Sequence, residues 1–557
     1  MRLLAPLALA LSLSTISISA HAGVMFQGFH WDAPSPWDKP WWDTLANQST
    51  DLAASGFTSV WIPPVLKGAA GGYSNGYDPF DDYDIGSKDQ MGTYPTHWGT
   101  REQLLRAVGV LRANGLEVYV DNVLGHRNGD DGYSHFRYKD AFGQDNKGRF
   151  EKWPDFFSGQ SSGFGRQLNH YANGTRDGLK EAGDWMVNTL GVQGMRIDLA
   201  TKVAPDFLRD YLNSGAMAGK FTVAEYWSEN VGELENYLRQ MGGRVSVFDF
   251  PLWGLLKDMS NMNGFFDMRK LQKAGFVARS PGHAVTFVEN HDTVRGYPTH
   301  GNKHLGYAYI LTSEGYPSVF WKDYYDFGMK KLIDPLIWIH ENLADGATEN
   351  RWADEDLLVY ERRGKRGLLV ALNDNASSGR GEWVQTSFGG NVTLHDYTGN
   401  QGEITTAADG RVRVWVGANS YVAYAPRFSG GGAFRPGSFE VEQQIAGVRD
   451  LDVKPALPGE WAGAQRIYVE GGTTIKANLF WRDGLLNDGK IQIAIAGEGQ
   501  TPGKIIDREG RYKDGWGEYR TSRTGWYTVF TRVESANKAQ GEVSYWLKLR
   551  YQAPKKI

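Results

Sequence analysis

The sequence predicts an α/β protein whose first roughly 340 residues form a closed (β/α)8 TIM barrel, with two β-rich domains after it. Three observations carry that expectation. Eight short apolar runs alternate with helical stretches up to about Asn342. Beyond that point short strands and turns replace the helical periodicity, as at residues 357–361 and 367–372. Ser429-Gly430-Gly431-Gly432 then reads as a flexible linker before a further β-like stretch. At roughly 150 residues per domain, a chain of 557 accommodates three or four.

The chain opens on Met1-Arg2, an apolar run over 3–18 interrupted by Ser and Thr, and Ala20-His21-Ala22. A positive start, an apolar core and a small-residue end form a signal peptide, with the mature chain starting near Gly23 and released outside the cell or into the periplasm. The alternative, a membrane anchor, needs about 20 spanning apolar residues, and this Ser-rich run is weak for that. No later segment is long and apolar enough to span, so no membrane association is expected.

The eight strand candidates are 24–27, 59–62, 117–123, 194–199, 221–226, 245–250, 284–288 and 318–321. Most are continuous apolar runs, which fits strands covered on both faces. The clearest helix follows Thr100, where Thr100-Arg101-Glu102-Gln103 has the form of a capping box. Leu104, Leu105, Val108 and Leu111 mark its buried face, and Gly115 stands where a C-terminal cap belongs. Eight such units imply parallel pairing and a closed barrel, although an open doubly wound sheet shares the same periodicity. The interval from about 125 to 173 is long, polar and rich in Gly, Asp and aromatics, which reads as an inserted subdomain. The expected domains are therefore a signal peptide (1–22), a barrel with its insertion (23–342), a second domain (343–427), a linker (428–436) and a terminal module (437–557).

Composition narrows the function. Sixty Lys and Arg against 64 Asp and Glu give a net charge of −4, too balanced for a nucleic-acid binder that works by counterion release. Cysteine is absent, which removes disulfides, thiolate nucleophiles and Cys-ligated zinc together. Aromatics reach 13%, with 20 Trp, a surplus suited to flat ligands such as sugar rings.

In a barrel of this kind, functional groups gather at the C-terminal strand ends. Those ends hold Asp121 and His126, then Arg196 and Asp198, then Glu225, and finally Glu289-Asn290-His291-Asp292. One reading is an ion-pair network that only braces the barrel top. The other is catalytic, because paired carboxylates on neighbouring strands suit glycoside hydrolysis: one protonates the departing oxygen, the other attacks or stabilises the sugar cation. Arg196 beside Asp198 would keep that carboxylate ionised. Glu225, next to apolar Tyr226 and Trp227, would keep a raised pKa and remain a proton donor.

At these residues the sequence resembles glycoside hydrolase family 13, the α-amylase family. Asp121-Asn122-Val123-Leu124-Gly125-His126, Gly194-Met195-Arg196-Ile197-Asp198, Ala224-Glu225-Tyr226-Trp227 and Phe287-Val288-Glu289-Asn290-His291-Asp292 look like its four signature regions, in order. The resemblance runs from about Met25 to Ala425 and does not reach the terminal module. It implies a calcium-associated barrel, a small domain B after the third strand, a β-sandwich domain C and retaining hydrolysis of α-1,4-glucosidic bonds in starch, giving malto-oligosaccharides. By position it makes Asp198 the nucleophile, Glu225 the acid/base and Asp292 the third carboxylate. It makes Arg196 the group that orients Asp198, His126 and His291 holders of sugar hydroxyls, and Tyr77 an aromatic stacked on the sugar. A buried core tyrosine is the plainer reading of Tyr77. Trp227 joins the substrate-binding set by its place beside Glu225, and Asp121 is expected to brace Arg196.

The departures bear on calcium. The family usually has Asn where Gly125 stands, and an Asp where Gln167 precedes Leu168-Asn169; Leu199-Ala200-Thr201-Lys202 also lacks the usual basic-then-His pair. Calcium takes six to eight oxygens, so the usual site is expected to be lost or weakened, with the Lys202 ammonium supplying the missing charge. The alternative keeps a weaker ion on carbonyls and water. A family transglycosylase and a non-catalytic glucan-binding protein are the rival functions; the second usually lacks one of the three acids retained here. Endo or exo attack is open. A monomer is expected. In the terminal module, Trp461, Trp481, Trp516, Trp526 and Trp546 are candidates either for starch stacking or for the core, with Trp546 set among polar neighbours.

Overall fold

The computed structural model describes residues 23–128, 155–428, 440–448, 461–481, 490–503, 505–507, 516–534 and 544–556. The expected signal peptide, residues 129–154 of the insertion and most of the expected linker lie outside these.

Eight parallel strands close a barrel: β1 (Met25–Gln27), β2 (Ser59–Ile62), β3 (Glu117–Asn122), β4 (Gly194–Ile197), β5 (Phe221–Ala224), β6 (Ser246–Phe248), β7 (Ala284–Phe287) and β8 (Tyr316–Phe320). Each pairs with its successor in sequence, and β8 closes on β1 with Met25 opposite Ser318. The open-sheet alternative is thereby excluded. The strands are short and almost wholly buried because helices cover their outer faces and side chains fill the interior. Register sets the site's geometry: Asp121 on β3 lies opposite Arg196 on β4, so both sit in one layer near the barrel mouth.

The principal helices are α1 (Trp41–Ser55), α2 (Arg101–Ala113), α3 (Asn173–Leu190), α4 (Pro205–Leu212), α5 (Val231–Gln240), α6 (Phe250–Asn261), α7 (Lys303–Thr312) and α8 (Lys330–Leu343). The capping box on α2 is present in both directions, with the Gln103 amide donating to Thr100 Oγ1 and the Thr100 amide donating to Gln103 Oε1. Gly115 takes φ +82° just past the helix end, a conformation that suits glycine. After β3 the chain makes a small antiparallel sheet in which Arg166–Leu168 lies between His126–Arg127 and Phe156–Ser161.

The next domain holds β9 (Thr348–Ala353), β10 (Leu357–Arg362), β11 (Leu368–Asn373), β12 (Arg380–Gln385), β13 (Thr393–Asp396), β14 (Ile404–Thr405), β15 (Arg411–Val416) and β16 (Ser420–Pro426). Six form one sheet in the order β9-β10-β11-β16-β13-β14, while β12 and β15 pair as a separate ribbon. The central strands β10, β11 and β16 of the large sheet are buried on both faces. Leu358, Tyr360, Leu368, Val370 and Leu372 join the barrel's core, and the alternating Leu357, Val359, Leu369 and Ala371 pack under the ribbon's Val384, Val412, Val414 and Val416.

The terminal module holds β17 (Glu440–Val448), β18 (Ala462–Val469), β19 (Thr474–Trp481), β20 (Lys490–Gly497), β21 (Ile505–Asp507), β22 (Gly517–Arg520), β23 (Gly525–Glu534) and β24 (Ser544–Gln552). They make two four-stranded sheets, β17-β24-β19-β22 and β18-β23-β20-β21. This module is docked on the barrel. Ala113 of α2 shares its core with Tyr551 and Ala553. Asn114 and Thr50 both donate to the Lys555 carbonyl at 2.8 Å, and Arg466 pairs with Glu102 at 2.9 Å. Trp526 belongs to this seam: Tyr468 meets it edge-on at 5.2 Å, and the Arg466 and Arg106 guanidinium groups lie over its ring. Trp461 and Trp516 are likewise partly covered, by Arg532 and Arg550. The side chains of Trp481 and Trp546 lie outside the described residues.

Candidate active site

The barrel mouth is organised around one guanidinium. Arg196, fully buried near the end of β4, donates from Nη1 to Asp121 Oδ1 and to Asp198 Oδ1, each at 2.8 Å. Its Nη2 lies 2.5 Å from Glu225 Oε1. The indole of Trp61 and the ring of Tyr77 flank it at 5.2 and 5.8 Å, supplying cation–π contact where water is excluded. Sequence reasoning paired Arg196 with Asp198 and braced it with Asp121; the structure adds Glu225, so the cation is shared three ways.

Glu225 is aimed by backbone as well as charge. The residue after Asp198, Leu199, takes φ +42°, an uncommon conformation for a branched side chain. That turn points its amide at Glu225 Oε2, 2.9 Å away, while the Ala200 amide donates to the Glu225 carbonyl. The turn following one carboxylate thus fixes the other.

Burial raises the proton affinity of the set. Asp198 and Glu225 are each pushed up to about 7, with loss of water the largest cause, Arg196 opposing it, and the neighbouring carboxylates adding to it. Asp121 rises to about 6 for the same first reason. One cation among three acids cannot neutralise them all, so the protons belong to the cluster rather than to one residue. Arg196 opposes the rise at Asp198 without cancelling it. Beside Glu225, Tyr226 packs on Tyr237 and Trp227 stacks on Phe250, each at 4.6 Å.

A second chain of hydrogen bonds reaches the same cluster from β1. Gln27 Nε2 lies 2.9 Å from His291 Nδ1, His291 Nε2 lies 2.9 Å from the Tyr77 hydroxyl, and that hydroxyl donates to Asp121 Oδ2 at 2.8 Å. The amide donor of Gln27 makes Nδ1 an acceptor and places the imidazole proton on Nε2. Burial lowers the His291 pKa to about 4, so the ring is neutral. Tyr77 stacks on His291 at 5.6 Å, with one edge in the hydrogen-bond chain.

Asp292 completes the carboxylates. Its Oδ1 accepts from Trp31 Nε1 at 3.1 Å, its Oδ2 lies 3.3 Å from His291 Nε2, and about a third of its side chain reaches solvent. Asp198, Glu225, Asp292, Arg196, Tyr77 and His291 are therefore gathered at one mouth. Trp227 is exposed at its edge. His126 is fully buried, with Nε2 2.6 Å from the Tyr77 carbonyl and Nδ1 unpartnered.

Comparisons with known proteins bear on the family and the fold. Residues 368–425 match the model of the α-amylase C-terminal domain. Over 477 residues the chain is 32% identical to a glucan 1,4-α-maltohexaosidase of Bacillus sp. (strain 707), covering 71% of this chain and 91% of that protein. The chain belongs to the α-amylase family. An α-amylase of Geobacillus stearothermophilus is 31% identical over 73% of this chain and 87% of its own length. The solved α-amylase of Geobacillus thermoleovorans, complexed with acarbose, shares the fold with a TM-score of 0.57 at 16% identity, over 73% of this chain and 99% of that one.

The described residues around Gly125 offer few oxygen ligands for the calcium that the family resemblance implies. Among the described residues no group of three or more His, Asp or Glu stands where it would hold a metal. Gly125 brings no side chain, and its carbonyl already accepts from the Leu168 amide at 3.0 Å. Lys202, expected to supply the charge, is exposed and stands beside Gly125, where an added Cβ would lie 3.3 Å from Lys202 Cβ. A cation buried in this region is Arg127. Its Nη2 lies 2.5 Å from Asp82 Oδ1, and its Nη1 donates to the carbonyls of Val123 and His126 at 2.6 and 2.7 Å. Arg127 and Gln27 were missed by sequence reasoning. Arg127 directly follows a signature region and carried a positional hint; a lone Gln at a strand end carried none.

Proposed function

We propose that this α-amylase-family enzyme hydrolyses α-1,4-glucosidic bonds of starch and related glucans to malto-oligosaccharides, with retention of configuration. The observation that carries the reading is the sharing of Arg196 by Asp198 and Glu225 at adjacent strand ends, with Asp292 beside them. A buried set with excess negative charge retains a proton near neutrality, and on Glu225 that proton serves the departing glycosidic oxygen. Asp198 attacks the anomeric carbon as the bond to that oxygen breaks, forming a glycosyl ester. Glu225, now ionised, takes a proton from water, whose oxygen attacks the same carbon and releases Asp198. Asp292 stabilises the positive charge that develops on the sugar in both steps. Arg196 and the neutral His291 hold the acids and the sugar hydroxyls in place.

The names of the relatives support the substrate class: maltohexaosidase, α-amylase and, at 26% identity, a glucan 1,4-α-maltotetraohydrolase of Stutzerimonas stutzeri. The start of the chain supports export, with residues 1–22 removed. For the metal, the reading is that Arg127 and its carbonyl partners replace calcium at the base of the inserted domain.

The deciding experiment follows products from soluble starch over time, with anomers resolved early, for the parent and Glu225→Gln. α-Anomeric malto-oligosaccharides are expected from the parent, and a rate at least about a thousandfold lower from the variant. β-Anomers, or equal rates, overturn the assignment. The length distribution of the parent's first products separates endo from exo attack.

A further inference from the structure

We propose that the β12–β15 ribbon of the second domain, outside the barrel, is an auxiliary binding platform for an α-glucan chain. Among the described residues five tryptophans are largely exposed, Trp37, Trp227, Trp352, Trp383 and Trp415, and three of them belong to this one domain. Trp383 and Trp415 share the solvent face of the ribbon, whose opposite face is closed by Val384, Val412, Val414 and Val416 against the domain core. The register places Trp383 opposite Arg413, and Trp415 opposite Gly381. The two indoles therefore stand diagonally across the strands, close enough for neighbouring units of one chain.

The seat of Trp415 is built for a flat ring. A Cβ on Gly379 would lie 2.6 Å from Trp415 Cζ2, and one on Gly381 would lie 2.7 Å from Cε3, at the opposite corner of the same six-membered ring. Any side chain at either position would displace the indole. Two glycines thus let the ring lie face-down along the backbone of β12, and one open face is consistent with its exposure of 46%. Trp383 is comparably open at 52%. Exposed indoles cost hydration, and neither ring closes a core here, so packing does not account for them.

The rim is polar in the manner sugars need. Arg411 and Arg413 lie 5.9 and 6.0 Å from the centroids of Trp383 and Trp415, and their guanidinium groups carry donors for ring hydroxyls. Trp352 borders the ribbon through Asp354, which accepts from Trp352 Nε1 at 3.1 Å and from Arg380 Nη2 at 2.6 Å. A glucosyl unit offers an apolar face of C–H groups and an edge of hydroxyls, which matches a flat indole with charged donors beside it. A protein partner fits less well. A stable interface removes about 1,600 Å² in total, more than the exposed face of two short strands provides.

This inference rests on the α-glucan reading of the active site, so its test separates the two. Electrophoretic retardation of the full-length protein in gels containing amylopectin is compared for the parent and Trp383→Ala/Trp415→Ala, alongside hydrolysis of maltoheptaose, a short soluble substrate. Retardation is expected to weaken roughly tenfold while maltoheptaose kcat/KM stays within about twofold. Trp415→Tyr, which keeps a flat ring, is expected to restore most of the retardation when paired with native Trp383, and guards against a folding defect in the double variant. Unchanged retardation in the double variant overturns the platform even if maltoheptaose is cleaved. Absence of maltoheptaose cleavage by the parent overturns the active-site reading instead.

Discussion

At the scale of single residues, the Arg196 cluster trades stability for proton affinity. Folding lifts Glu225 from 4.5 to about 7, chiefly by burial. Between those values the folded chain keeps a proton that the unfolded chain has lost. The group's contribution to stability is therefore fully present below about pH 4.5 and is lost as pH rises through about 7. Gln at this position has no such dependence. Glu225→Gln is expected to be more stable than the parent at pH 8, with the gap shrinking towards pH 5. Thermal melts at the two pH values check this. A gap that grows on acidification would mean that Arg196 outweighs burial. The same residues show what a sequence can reveal. The gathering of Asp198, Glu225 and Asp292 was legible because each follows a barrel strand, β4, β5 and β7, and buried carboxylates rarely cluster without partners. The sharing of Arg196 was not, since it depends on how far β4 projects relative to β5. Gln27 was invisible, because its role exists only through the ring nitrogen of His291, 264 positions away.

At the scale of elements, the base of the inserted domain poses a choice between an ion and a side chain. Arg127 and Asp82 are both almost fully buried, and they tie the start of that domain to the segment following β2. Breaking a buried pair leaves one charge uncompensated, at a cost of about 3–5 kcal/mol. Arg127→Met is accordingly expected to lower the melting temperature by several degrees, while EDTA leaves that of the parent within about 2 °C. A large fall with EDTA, reversed by added calcium, would restore the metal. The α2 capping box and the eight strand positions were readable beforehand, because caps and apolar runs are local. The exposure of Lys202 was not legible locally: it is set by the left-handed turn at Leu199 and the short helical turn Ala200–Lys202 that follows.

At the scale of the whole molecule, the terminal module is docked on the barrel despite the Gly-rich stretch before it. A linker of that composition reads as freedom, yet the contacts that remove the freedom come from the far end of the chain. Ala553 packs into the core shared with Ala113, and a Cβ on Gly109 would sit 3.5 Å from Ala553 Cβ, so α2 presents small residues where the module meets it. The Lys555 carbonyl then receives donors from both Thr50 and Asn114, tying α1 and the end of α2 to the same point. Because these contacts are apolar at the centre and charged at the rim, module and barrel are expected to unfold together. Ala553→Asp places an unpaired carboxylate in that seam at a cost of about 2 kcal/mol or more. Calorimetry is expected to show one transition for the parent and two for the variant, the earlier belonging to the module, with maltoheptaose cleavage retained. A single transition in the variant would mean that the polar rim alone, Arg101 to Gln465 and Glu102 to Arg466, couples the two units. A coupled module holds its surfaces at a fixed distance from the barrel mouth, so any glucan it touches is presented to the cleft in a set geometry rather than on a tether.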